Sequence, residues 1–177
     1  MAAPKSSPST TRSVASSADP IPDRRGWHSV SDPLAPVKPD QFPQPQGRYL
    51  GAVSAAGLVH SAGMTPRRAG RLVVRGVVGE EVTLDMAAWA AGLAAGNALL
   101  AVSETAGGLD RIQRCARMVV YIRCAPGFTE LSAVADGASA VLAARLGESA
   151  LPARAAVGVC ALPGGSPVEV ELTAVVR

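Results

Sequence analysis

Residues 152–176 read PARAAVGVCALPGGSPVEVELTAVV, and their pattern decides the fold class. From Val168 onward, the apolar residues Val168, Val170, Leu172, Ala174 and Val176 alternate with Glu169, Glu171, Thr173 and Val175. A period of two is a strand with one face buried. The wholly apolar face must lie beneath another layer. The opposite face, with two carboxylates and a valine, is only half suited to water and is available for self-association. Arg154–Leu162 is expected to be the preceding strand, paired with Val168–Val176 as a hairpin across Pro163-Gly-Gly-Ser-Pro167.

Working outward, YLGAVSAAGLVHSAGM (49–64) reads as two short strands around a turn at Ala56-Gly57, and RLVVRGVVG (71–79) as an extended stretch. Thr83 is an N-cap, with Asp85 where the helix dipole favours an acid. The helix that follows runs to about Glu104, carries Met86, Ala90, Leu93, Ala94, Asn97 and Ala101 on one stripe, and is stopped by Ala-Gly-Gly at 106–108. Ala116–Ile122 is a strand, broken by Pro126-Gly127. A second helix opens at Thr129, with Leu131, Val134, Ala135, Ala138, Val141 and Leu142 on its apolar face and Gly147 at its end. Strands, helix, strand, helix, two strands make an α+β layer, a mixed β-sheet with two helices on one face.

The same reading fails before Gly47. Residues 1–46 hold ADPIPD, DPLAPVKPD and QFPQPQ and show no periodicity, so they are expected to be a disordered Pro/Ser-rich tail, with Trp27 and Phe42 able to pin it locally. The domains are thus 1–46 and 47–177. The N-terminal residues lack the apolar core of a secretory signal, and no apolar run reaches the ~20 residues needed to span a bilayer, so no membrane partner is expected.

The chain has 177 residues, a formal charge of +3 and six aromatic residues. Scattered cations and so few rings argue against nucleic acid as a partner. Cys115, Cys124 and Cys160 show no metal-ligand spacing with each other or with His28 and His60, which points to reduced thiols in the cytoplasm and to no metal or other cofactor. There is no GxSxG, no P-loop and no GxGxxG after a strand. Arg67, Arg68, Arg71 and Arg75 read as a solvated edge strand. Arg154 stands apart: among small and apolar neighbours it needs an anion, either Glu169 or Glu171 of the protein or a ligand carboxylate, and the pattern leaves both open.

Several segments carry a resemblance. LPARAAVGVCALPGGSPVEVELTAVV resembles the C-terminal signature of the Rid (reactive-intermediate deaminase, YjgF-type) family, SAGMTP (61–66) its V-S-G-Q-like segment, and NALLAVSETAGGLDRIQRCARMVVYI (97–122) its N-x-L…G…V-V-x-x-x-V-Y/F-V block. FTELSAVADGASAVL (128–142) is similar to its second helix, in the variety with a G-A-S step. The resemblance implies a chorismate-mutase-like fold, a homotrimer, and intersubunit clefts that hydrolyse enamines or imines of amino acids to 2-keto acids and ammonia. It implies that Arg154 clamps the substrate carboxylate, that Glu169 positions water, and that Tyr49 and the Gly63 N–H bind the ligand. Alanines at Ala62 and Ala156 stand where the family has serine and cysteine, and Ser132 where an asparagine is common, which implies altered substrate preference. The resemblance leaves open a specialised biosynthetic imine substrate or a non-catalytic ligand-binding trimer. Some relatives carry an endoribonuclease label, but no His pair or Lys/His site for RNA cleavage is visible.

The hairpin supplies its own expectation. Leu162 opposite Val168 would set Arg154 and Glu169 seven rungs apart, ~23 Å, so that only two subunits could bring them to one ligand.

Overall fold

Strand β7 (Val168–Val176) is the central element of the sheet, and its alternation is borne out: Val168, Val170, Leu172 and Ala174 are all at or below 1% exposure. The computed structural model describes residues 45–177; the tail expected over 1–46, with Trp27 and Phe42, lies almost wholly outside the described residues. Strands β1 (Ala52–Ala55) and β2 (Leu58–Ser61) form the expected hairpin around Ala56-Gly57. A two-residue ribbon follows, β3 (Arg67–Arg68) with β4 (Arg71–Leu72), and the rest of 71–79 is irregular.

Helix α1 (Leu84–Ala106) starts where Thr83 Oγ1 accepts from the Met86 N–H at 3.3 Å, and ends at Gly107 in the left-handed region. Its predicted stripe is buried. With Ala87, Ala91, Ala95 and Ala98 also buried, the helix is covered nearly all round. By length and composition it could cross a membrane, which corrects the expectation that no apolar run is long enough. It is the core helix, packed on β2, β7 and α2. Strand β5 (Ile112–Arg123) extends beyond the predicted limits and carries two register shifts. Helix α2 (Leu131–Leu146) follows and buries Val134, Ala135, Ala138, Val141 and Leu142. Strand β6 is Ala153–Val159.

The sheet order is β1-β2-β7-β5-β6, with every pair antiparallel except β5·β6. This corrects the predicted β6–β7 hairpin. β5, α2 and β6 form a parallel crossover unit, so β6 lies outside β5, and the chain passes over the end of β5 before β7 enters on its other side. A hairpin would leave β5 with one partner. The observed order gives both β5 and β7 two.

The arginine segment is also corrected. It forms no edge of the main sheet. Arg67 donates to Gly70 O at 2.7 Å and Thr65 Oγ1 at 3.1 Å, and Arg75 donates to Gly164 O at 2.7 Å, so these guanidiniums tie loops together. Asn97, buried on α1, anchors the same segment by donating to Thr65 O and Arg67 O.

Candidate active site

The β2–β7 ladder sets the first half of the site. His60 pairs with Thr173, and the next pairing is Met64 with Val170. Four steps on one strand thus match three on the other, a one-residue bulge of the kind that re-aims groups beside active sites. Ser61 Oγ fills the gap by accepting from Leu172 N–H at 3.0 Å. The bulge presses Gly63 onto Glu169 so closely that a Cβ at Gly63 would collide with the Glu169 carboxyl. Ala62 N–H donates to Gly51 O and Met64 N–H to Val170 O, whereas the N–H of Gly63, between them, has no acceptor among the described residues.

Glu169 is half buried, and loss of water, followed by the charge of Glu171, raises its pKa above the ordinary carboxylate value. Tyr121 lies directly across from Glu169 in the β5·β7 register, and its hydroxyl donates to Glu171 Oε2 at 3.1 Å. Glu169, Glu171 and Tyr121 all stand on the face of the sheet that the helices leave open.

Arg154 is on the other face. It pairs with Met118, whose side chain belongs to the core under the helices, and it reaches α2. Its Nη1 donates to Asp136 Oδ1 at 2.7 Å and to Ser139 Oγ at 2.8 Å, and Nη2 approaches Ser132 O at 3.4 Å. The protein partner of Arg154 is therefore Asp136, which corrects the expectation of Glu169 or Glu171. The arginine is only 22% exposed, so the ion pair is shielded on one side. With Nη1 occupied and one Nη2 N–H turned to Ser132 O, Nε and the second Nη2 N–H form the edge left for a planar anion.

The ~23 Å separation fails with the hairpin. Arg154 and Glu169 are separated by two strand spacings and three residues along the strands, each ~10 Å, and by the thickness of the sheet itself. One chain still does not present both to one small ligand, now because the two side chains leave opposite faces.

The remaining predicted positions divide. Ala156 lies two residues from Arg154 on the same face and packs on the core, and Ala62 flanks Gly63. Ser132 meets Arg154 through its carbonyl, while the hydroxyl contact comes from Ser139. Tyr49 is exposed, and its hydroxyl accepts from Gln46 N–H at 3.1 Å. Asp136, Ser139 and Tyr121 were not identified from sequence. The available signal was helical spacing, since Ser132, Asp136 and Ser139 fall at steps of four and three on one face of α2. Among the described residues, no three His, Cys, Asp or Glu side chains gather as metal ligands.

A model of the endoribonuclease L-PSP family matches residues 40–176. Protein TCP17 of Trypanosoma cruzi is 33% identical over 128 residues, covering 72% of this chain and 80% of the relative. Among solved structures, Atu1372 of Agrobacterium tumefaciens, a protein of unknown function, is 33% identical with a TM-score of 0.72, over 77% of this chain and 87% of that one. RidA from the Antarctic bacterium Psychrobacter sp. PAMC 21119 is 26% identical with a TM-score of 0.54, over 79% and 98% of the two chains. Two helices on one face of a mixed sheet, the Gly63–Glu169 bulge and a family match over most of the chain agree, and the protein belongs to the endoribonuclease L-PSP family, the Rid or YjgF-type proteins.

Proposed function

We propose that this chain is the subunit of a homotrimeric hydrolase that converts 2-imino acids or their enamines to 2-keto acids and ammonia. The observation that carries this reading is the bulge at Gly63, which sets an N–H without an acceptor beside a half-buried carboxyl of raised proton affinity. An unclaimed backbone donor next to a proton acceptor suits a reaction that adds water across a polar double bond.

Arg154 of one copy takes the substrate carboxylate on its Nε–Nη2 edge, with Asp136 and Ser139 holding the guanidinium flat against α2. Glu169 of a neighbouring copy accepts a proton from water as the water oxygen bonds to the imine carbon. The electron pair of the C=N bond moves to nitrogen, which takes that proton back from Glu169, giving a carbinolamine. Glu169 then accepts the hydroxyl proton and passes it to nitrogen as C=O forms, C–N breaks and ammonia leaves. Imine plus water thus gives keto acid plus ammonia, with no group left altered. Imines are labile, so positioning the water supplies much of the acceleration. The three free thiols favour a reducing compartment such as the cytoplasm.

The Asp136–Arg154 pair, with alanines at Ala62 and Ala156 where the resemblance implies serine and cysteine, favours one second reading: the same site working on an amine or imine intermediate of a specialised biosynthetic route. The test generates 2-iminopropionate or 2-iminobutyrate in situ with an amino-acid oxidase or lyase and follows keto-acid release. Arg154→Lys keeps the charge and loses the two-pronged geometry, so kcat/KM should fall roughly 30- to 1000-fold, on the order of 2–4 kcal/mol. Glu169→Ala should abolish the acceleration. Equal rates for all three proteins reject the clamp, and no acceleration by wild type moves the assignment to the second reading. Ligand binding without turnover over a panel of imines would identify a non-catalytic trimer.

A further inference from the structure

The open sheet face holds a second carboxylate and a phenol that the proposed chemistry leaves unused. Glu169 and Glu171 are two residues apart on one face of β7, so their Cβ atoms stand ~7 Å apart and their carboxyls share one local field. Tyr121 is opposite Glu169 in register, yet its hydroxyl passes the nearer position and bonds diagonally to Glu171 Oε2 at 3.1 Å. Diagonal reach of this kind is ordinary for an aromatic side chain across antiparallel strands. Its effect is to treat two like residues unequally.

We propose that Tyr121 is a positioning residue of this site: by donating its hydroxyl to Glu171 it holds that carboxylate as the anion and leaves Glu169 as the member of the pair that takes the proton. This rests on the reading of Glu169 as the water-activating group. A hydrogen bond to an ionised carboxylate stabilises its charge, and a fixed charge beside Glu169 disfavours a second one. The raised proton affinity of Glu169, and that of the Tyr121 phenol, agree with this division. Other charged and titratable groups share this face, and Arg114 of β5 stands at its far end opposite Val175. Arg117 of β5 faces Tyr121 and opposes its retention of the proton. Arg123, at the end of β5, is the charge that Glu81 senses. His60 of β2 shares a hydrogen bond with Thr173 Oγ1 at 3.1 Å.

The test is a carboxyl 13C titration of the full chain, without substrate, in wild type, Tyr121→Phe, Glu171→Gln and the double variant, with Glu169→Gln to assign the resonances. In wild type Glu169 should titrate above the ordinary carboxylate value. Tyr121→Phe should lower the Glu169 midpoint by at least about half a pH unit, as expected when a neighbouring charge is no longer fixed. In the Glu171→Gln background the Tyr121→Phe change should add nothing. A Glu169 midpoint that ignores Tyr121→Phe, or moves equally with and without Glu171, overturns the proposal. The titration needs no turnover, so absent imine hydrolysis with a shifted midpoint would reject the enzymatic reading alone. Where turnover is present, the acid limb of kcat/KM should move to lower pH in Tyr121→Phe.

Discussion

Glu169 is held where its charge is disfavoured, and that has a stability consequence with a definite sign. Its folded proton affinity lies above the ordinary carboxylate value of 4.5, through burial and then Glu171. The folded state therefore binds the proton more tightly than the unfolded state. The stability from that proton is fully present below the unfolded value and is lost as pH rises through the folded one. At neutral pH the native carboxylate costs stability, as functional groups often do. Glu169→Gln should raise the melting temperature at about pH 8 and lose most of that gain as pH falls to about 4. Equal differences at the two pH values would show that Glu169 is not held against its charge. As candidates, Arg154 was legible from its small and apolar neighbours, and Glu169 and Gly63 from segments that resemble the family. Asp136 and Tyr121 were not, since each meets its partner across 18 and 50 residues of chain.

At the scale of elements, the helices and most strands follow from local chemistry. Thr83 caps α1, Gly107 ends it, and the alternation of β7 fixes its buried face. Strand neighbours do not follow, because period-two alternation names a face and not a partner. PGGSP reads as a hairpin turn although β6 is committed to β5 through the α2 crossover. Helix packing adds a second non-local term. Gly137 on α2 lies so close to α1 that an added Cβ would collide with the Ala88 carbonyl, and Gly92 meets Gly137 O in return. Alanine is a better helix former than glycine by ~1 kcal/mol. A collision with rigid backbone outweighs this, since overpacking typically costs about 1–3 kcal/mol. Gly137→Ala should therefore lower the denaturant midpoint. A raised midpoint would mean that the helices can separate at no cost.

For the whole molecule, the two sides of the sheet are unequally finished. The helices cover most of one side, while the other carries Val53 at 45% and Val157 at 39% exposure among polar groups. Arg154 and Glu169 leave opposite faces, so a site using both requires a second copy of the chain. The family and the half-apolar face together lead to the expectation of a trimer, about three times 17.9 kDa by light scattering. Val157 sits on the open face beside Tyr121 in the register of β5 and β6. An aspartate there would place a charge in any interface built on this face and little strain on the fold, because the position is already in water within one chain. Val157→Asp should give a folded monomer, with far-ultraviolet circular dichroism unchanged and imine hydrolysis lost. Mixing it with Arg154→Lys chains should restore no activity, since the first cannot assemble and the second lacks the clamp. A wild-type monomer at micromolar concentration would reject the shared site. A Val157→Asp protein that stays trimeric would place the interface on another surface.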